Sequence, residues 1–192
     1  MPALVITQVG DPDLGLIRSV AEGRPVAVAP ALLAVVRQRC ERARQALHGQ
    51  PVYGVNTGMG ALSSVRLTEE QQRSHQRNLL LARAAGGPPW LSRPDARAIV
   101  AVRLLTFLTG DAAVSDGLCQ RLADLLNYDI VPAVPEAAAG TAGEITQLAH
   151  AFGPLAGIGR VLGPGGTTRP AGEALREHGL AEFGLDPRRA SP

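Results

Sequence analysis

Apolar residues recur at helical spacing along most of this chain. In residues 31–48, Leu32, Leu33, Val35, Val36 and Ala43 fall three and four positions apart with arginines between them, the pattern of an amphipathic helix. Gly49 follows as a helix stop. The same reading predicts helices over 14–22, from Thr68 to 85, over 94–109, 115–127, 144–159 and 172–178. Thr68 with Gln71 has the form of a capping box, Pro94 suits a first helical turn, and Ser115 suits an N-cap. Two short strands, 3–8 and 25–28, are expected to pair. Between these elements, 51–64 reads as a Gly, Ser and Asn loop, and Gly86-Gly87-Pro88-Pro89 as a break. Residues 131–139 hold two prolines and read as an extended crossing segment. Residues 140–143 and Gly163-Pro164-Gly165-Gly166 read as turns.

Composition sharpens that picture. Hydrophobic residues make up 45% of the 192, yet aromatics only 3%, so the core must be built from Ala, Leu and Val. Such a core favours packed helices over a sandwich, and the expected fold is mainly α with one minor strand pair. The length suits a single domain over 1–180, with 181–192 as a flexible tail.

Charge and residue counts exclude several functions. All 19 basic residues are arginine, which rules out a phosphate-binding-loop lysine and a pyridoxal Schiff base. A net charge of +2, with no basic stretch interleaved with aromatics, gives no reason to expect nucleic acid. Cys40 and Cys119 lie far apart and read as free thiols of a reducing compartment. The four histidines show no metal-binding spacing, so no metal is expected. No leader pattern opens the sequence, and no apolar run reaches the ~18 residues of a membrane span. A cytoplasmic protein without membrane contact is expected.

Three blocks carry the chemistry. The first is Tyr53-Gly54-Val55-Asn56-Thr57-Gly58-Met59-Gly60. The second is Gln76-Arg77-Asn78-Leu79-Leu80-Leu81, followed by Ala84-Ala85-Gly86. The third is Val134-Pro135-Glu136 leading into Gly140-Thr141-Ala142-Gly143-Glu144 and on to His150. In this order and spacing they resemble the histidine, phenylalanine and tyrosine ammonia-lyases over roughly residues 30–180. The resemblance implies the N-terminal domain of the ammonia-lyase/fumarase-like superfamily, with the long central helices that build the family's tetramer lying beyond the matched part.

The resemblance also implies a site. Family enzymes cyclise an Ala-Ser-Gly tripeptide into a methylideneimidazolone electrophile. The matching positions here are Thr141, Ala142 and Gly143, a degenerate version of that motif. Ala142 has no leaving group on its β-carbon, Thr141 is one residue too early, and no serine lies between Ser115 and Ser191. Elimination through that electrophile is excluded on covalent grounds, so no cofactor is expected.

By the same resemblance, Tyr53 is the general base on a mobile loop. An unassisted phenol ionises only near pH ~10, and a helix N-terminus, such as the one expected near Glu144, would support a phenolate. The alternative is a packing residue on a glycine loop. Asn56, Thr57 and Gly58 are candidate substrate contacts or serve the loop backbone itself. Arg83 replaces a family histidine that helps choose the substrate side chain; it faces either an anionic or carbonyl substrate or the solvent. Glu144 is either a substrate-binding carboxylate or a cap of its own helix. His150 reads as a satisfied core residue.

Two functions follow as expectations. One is an enzyme that uses Tyr53 without methylideneimidazolone for elimination, isomerisation or cyclisation of a small amino-acid-derived or carbonyl substrate, in specialised metabolism. The other is a non-catalytic or half-site subunit that completes a lyase-like partner. Either a homo-oligomer or such a partner is expected.

Overall fold

The chain opens with β1 (Leu4–Ile6) and β2 (Val26–Val28), which pair in parallel with Leu4 opposite Val26 and Ile6 opposite Val28. This is the expected pair, with α1 (Leu14–Ala21) as its crossover. The computed structural model describes residues 2–10, 13–138, 143 and 145–184. Thr141, Ala142 and Glu144 therefore lie outside the described residues, as do the expected helix start at 144 and the end of the chain beyond 184.

Four longer helices follow: α2 (Pro30–Ala46), α3 (Glu69–Arg83), α4 (Arg93–Leu108) and α5 (Asp116–Asn127). Their starts are set by local chemistry. The Thr68–Gln71 capping box is formed in both directions, at 3.2 and 2.8 Å, and satisfies two amide groups at the head of α3. Ser115 caps α5 by accepting from the Leu118 amide at 3.2 Å. α4 begins one residue before Pro94, because Ser92 is the capping side chain and leaves the proline in the first turn, where its missing N–H costs nothing.

α4 is the central helix, with α1 and α5 packed against it. Val100, Leu104 and Leu108 meet Val20, Val36, Leu122, Leu125 and Leu126 in one apolar cluster. Burying each such side chain contributes about 2–3 kcal/mol. Asn127 ties this core to the strand pair: its amide group accepts from the Val26 N–H at 2.8 Å and donates to the Val26 carbonyl at 2.9 Å.

The segment after α5 is extended and buried, as its two prolines suggest. Val131 and Val134 join Ala96 and Ala151 in a second, smaller cluster. The backbone there is paired on both sides, with the Leu91 N–H donating to the Val134 carbonyl and the Leu162 N–H to that of Val131, both at 2.8 Å.

One expectation is corrected and one element is added. The helix predicted to reach 159 stops early: α6 spans Ile145–Phe152 and gives way to a 3-10 turn, Gly153–Ala156. Pro154 cannot donate the amide an α-helix needs, and Gly157 ends the turn at φ 68°. The glycine-rich turn at 163–166 joins an antiparallel pair that the sequence pattern does not reveal, β3 (Arg160–Leu162) and β4 (Thr168–Pro170). A last helix, α7 (Ala171–Glu177), packs on β4. Residues 181–184 are held to the body, with the Phe183 N–H donating to the Leu155 carbonyl at 2.7 Å.

Candidate functional site

The loop that carries Tyr53 is built by its own polar residues. Asn56 accepts from the Val52 N–H at 2.7 Å and donates to the Gln50 carbonyl at 2.8 Å, closing a tight turn around Tyr53. Thr57 is buried, 2% exposed, and its hydroxyl donates to the Gly58 carbonyl at 3.0 Å. Gly58 is wedged against the next turn: a Cβ there would lie 2.5 Å from the Leu62 carbonyl oxygen. Asn56, Thr57 and Gly58, three of the five residues expected at the substrate, thus shape the loop.

Tyr53 itself is 59% exposed. Its phenol oxygen accepts from the Gly60 N–H at 3.1 Å, and Gly60 opens a one-turn 3-10 helix, Gly60–Leu62. Among the described residues the N–H that meets the phenol is the loop's own; the helix start expected near Glu144 lies outside them.

α3 links the loop to the rest of the site. Gln76 on this helix donates to the Gly54 carbonyl at 2.9 Å, next to Tyr53, and Gln72 donates to the Leu67 carbonyl at 2.8 Å. Seven residues further, about 10 Å along the axis, Arg83 stands half-buried in the last turn. It makes no hydrogen bond or ion pair among the described residues. α6 packs beside α3, and His150 fixes their ends together through Nε2, 3.0 Å from the Ala85 carbonyl oxygen. The His150 ring also lies 6.3 Å from that of Trp90. Gly143, two residues before α6, sits at φ 71°, a conformation that favours glycine; the rest of the turn expected at 140–143 lies outside the described residues.

Gln76 falls within the second motif, but nothing local in the sequence marks it as the loop's anchor. Nor does the sequence single out Arg97, which is 3% exposed on α4 and donates to the Val20 and Leu126 carbonyls and to Asp129. Burial lowers its pKa from the ordinary guanidinium value, with Asp129 opposing that effect. Arginines on helices usually face water, so no local signal marks this one. Burial also pushes the Cys119 thiol up to about 12 and raises that of Cys40, which makes both poor nucleophiles. No group of three or more His, Cys, Asp or Glu side chains among the described residues is placed to hold a metal. No described helix is long and apolar enough to cross a membrane.

Two surface hollows lie away from Tyr53. One, of about 600 Å³, lies between Trp90, Arg93, Asp129 and the 162–166 turn. The other, of about 460 Å³, is an apolar trough between α4 and α6.

The body is mainly α, and its glycine loop carries an exposed tyrosine and is clamped to α3 by Gln76. The chain belongs to the aromatic amino acid lyase family, whose pattern matches residues 13–190. It is 41% identical over 137 residues to a histidine ammonia-lyase of Streptomyces avermitilis, covering 71% of this chain and 27% of that enzyme. It is 36% identical over 174 residues to the MIO-dependent tyrosine 2,3-aminomutase of Streptomyces globisporus, covering 89% of this chain and 31% of that one. Among solved structures, an ergothionase from Treponema denticola superposes with a TM-score of 0.85 at 30% identity, over 98% of this chain and 38% of that chain. A tyrosine aminomutase from S. globisporus gives 0.84 at 30% identity, over 96% and 35%. The chain thus spans about a third of the length of these relatives.

The prosthetic group implied by the family does not fit the residues present. The methylidene carbon has to come from a side chain that loses a β-substituent, and the tripeptide reads Thr141-Ala142-Gly143. A methyl side chain has nothing to lose.

Proposed function

We propose that the site does acid–base chemistry on a small amino-acid-derived or carbonyl substrate, with Tyr53 as the catalytic base and no methylideneimidazolone. The observation that carries this reading is the Tyr53 phenol, open to solvent on a loop held at Gly54 by Gln76, with the Gly60 amide aimed at its oxygen. Without an electrophile to activate an amine, a phenolate can remove only a proton already acidified by a neighbouring carbonyl. That favours isomerisation, elimination or intramolecular addition (a cyclisation) next to such a group, and it suits specialised metabolism. Arg83 supplies a charge for a carboxylate or carbonyl oxygen. Asn56, Thr57 and Gly58 shape the same loop and are proposed substrate contacts, and the family resemblance adds Glu144 as a candidate. The test compares wild type with Tyr53→Phe for solvent-deuterium uptake and turnover on a panel of α-amino and α-keto acids. Loss of both in the variant is expected; equal activity would sink the role of Tyr53.

The second reading is a half-site subunit that completes a lyase-like partner. It is favoured by the apolar side chains that α4 and α6 leave exposed, Val102 and Ile145 among them.

A further inference from the structure

The chain has one tryptophan, and it stands at the hollow of about 600 Å³ that lies away from Tyr53. The backbone of Trp90 is fixed on both sides. The Leu91 N–H donates to the Val134 carbonyl at 2.8 Å, and the Glu136 N–H donates to the Pro89 carbonyl at 2.9 Å. Leu91, Leu162 and Pro164 add apolar walls, and Gly165 and Gly166, at φ 61° and 79°, close the turn without side chains. The volume falls within the ~300–1,000 Å³ of small-molecule sites.

The ionic lining is Arg93 and Asp129. One Asp129 oxygen accepts from Arg93 at 2.8 Å and the other from Arg97 at 2.9 Å, so two guanidiniums share one carboxylate. Arg97 is 3% exposed, and its Nη2 is buried with no hydrogen-bond partner among the described residues. A surplus of positive charge therefore sits beside the hollow, poorly screened where Arg97 is shut away from water. Asp95 is hydrogen-bonded to the Ser92 hydroxyl and does not line the hollow. Arg93 uses two of its five N–H donors, on Asp129 and on the Leu162 carbonyl at 2.9 Å.

That surplus selects an anion, and the spare N–H groups of Arg93 suit a carboxylate. Trp90 selects a flat apolar body beside the anion. A cation is disfavoured, because both oxygens of the one lining carboxylate already accept from arginine. We propose that this hollow binds a small aromatic carboxylate, with its ring against Trp90 and its carboxylate on Arg93. The site is separate from the Tyr53 loop and stands whether or not that loop is catalytic.

The test titrates the full chain with benzoate and follows the fluorescence of Trp90, the sole indole. Saturable quenching by benzoate is expected, and none by benzylamine or acetate. Arg93→Met should weaken benzoate about tenfold, and Arg93→Lys, which keeps the charge but loses the fork, about threefold. Equilibrium dialysis reads Trp90→Leu, where a loss of about tenfold is expected. Thermal melts establish that each variant is folded. Tyr53→Phe should bind benzoate as wild type does; loss of binding there would move the ligand to the loop and overturn the site. No saturable quenching of the folded wild type would also overturn it. So would wild-type affinity in both Arg93 variants, or benzylamine or phenylalanine binding more tightly than benzoate.

Discussion

The side-chain amide of Gln76 donates to the carbonyl of Gly54 at 2.9 Å, across 22 residues of sequence, and so fastens the Tyr53 loop to α3. Replacing Gln76 with Ala removes one hydrogen bond, for a loss of about 1 kcal/mol. Amide exchange over residues 54–60 should quicken while exchange in α4 and α5 stays unchanged. Unaltered exchange in the loop would show that Gln76 does not anchor it.

Gly58 has no room for a side chain. A Cβ would meet backbone, the Leu62 carbonyl oxygen at 2.5 Å, and backbone in a tight turn cannot swing aside. Gly58→Ala should destabilise the chain by about 1–3 kcal/mol and loosen the contact between Gly60 and Tyr53. A denaturant midpoint equal to wild type would contradict the close approach.

Asp129 carries two guanidinium groups, Arg93 at 2.8 Å and Arg97 at 2.9 Å, and sits at φ 55°. Asparagine tolerates that backbone conformation, so Asp129→Asn isolates the charge. The buried Arg97 would then keep only neutral carbonyl partners. Because Asp129 is itself largely exposed, water offsets part of the loss, and about 1–2 kcal/mol of destabilisation is expected by urea unfolding. Salt should narrow the difference between the two proteins.

Cys119 gives a pH dependence with a defined sign. Its thiol is raised from 9.0 to about 12 by burial in the core, so the folded state resists ionisation while the unfolded chain ionises near 9. Its stabilising contribution is complete below pH 9 and fades as pH rises towards 12. Thermal melts should therefore fall across this window, and less steeply in Cys119→Ala. Identical slopes would place the alkaline sensitivity elsewhere. At neutral pH the folded thiol should be silent to a thiol-reactive dye.

Much of this protein was legible from residues close together in the chain. The Thr68–Gln71 and Ser115 caps set helix starts because a cap acts within three residues of itself. The missing β-substituent at Ala142 is a covalent fact that no fold can alter. The glycine-rich loop around Tyr53 and the three ordered blocks placed the chain in its family.

Packing decided the rest. That Arg97 is buried, that Asn127 pairs with Val26 across 101 residues, and that Gly60 donates to Tyr53 depend on which surfaces meet. The β3–β4 hairpin was invisible because its strands are stabilised by neighbours such as Val131 and Ala133, not by their own pattern. The apolar stripe on the far side of α4 reads in sequence as more core; only the fold shows that nothing in the described chain covers Val102. Caps and covalent chemistry are local, and the sequence determined them alone. Burial is a property of the whole body, and only the tertiary structure could assign it.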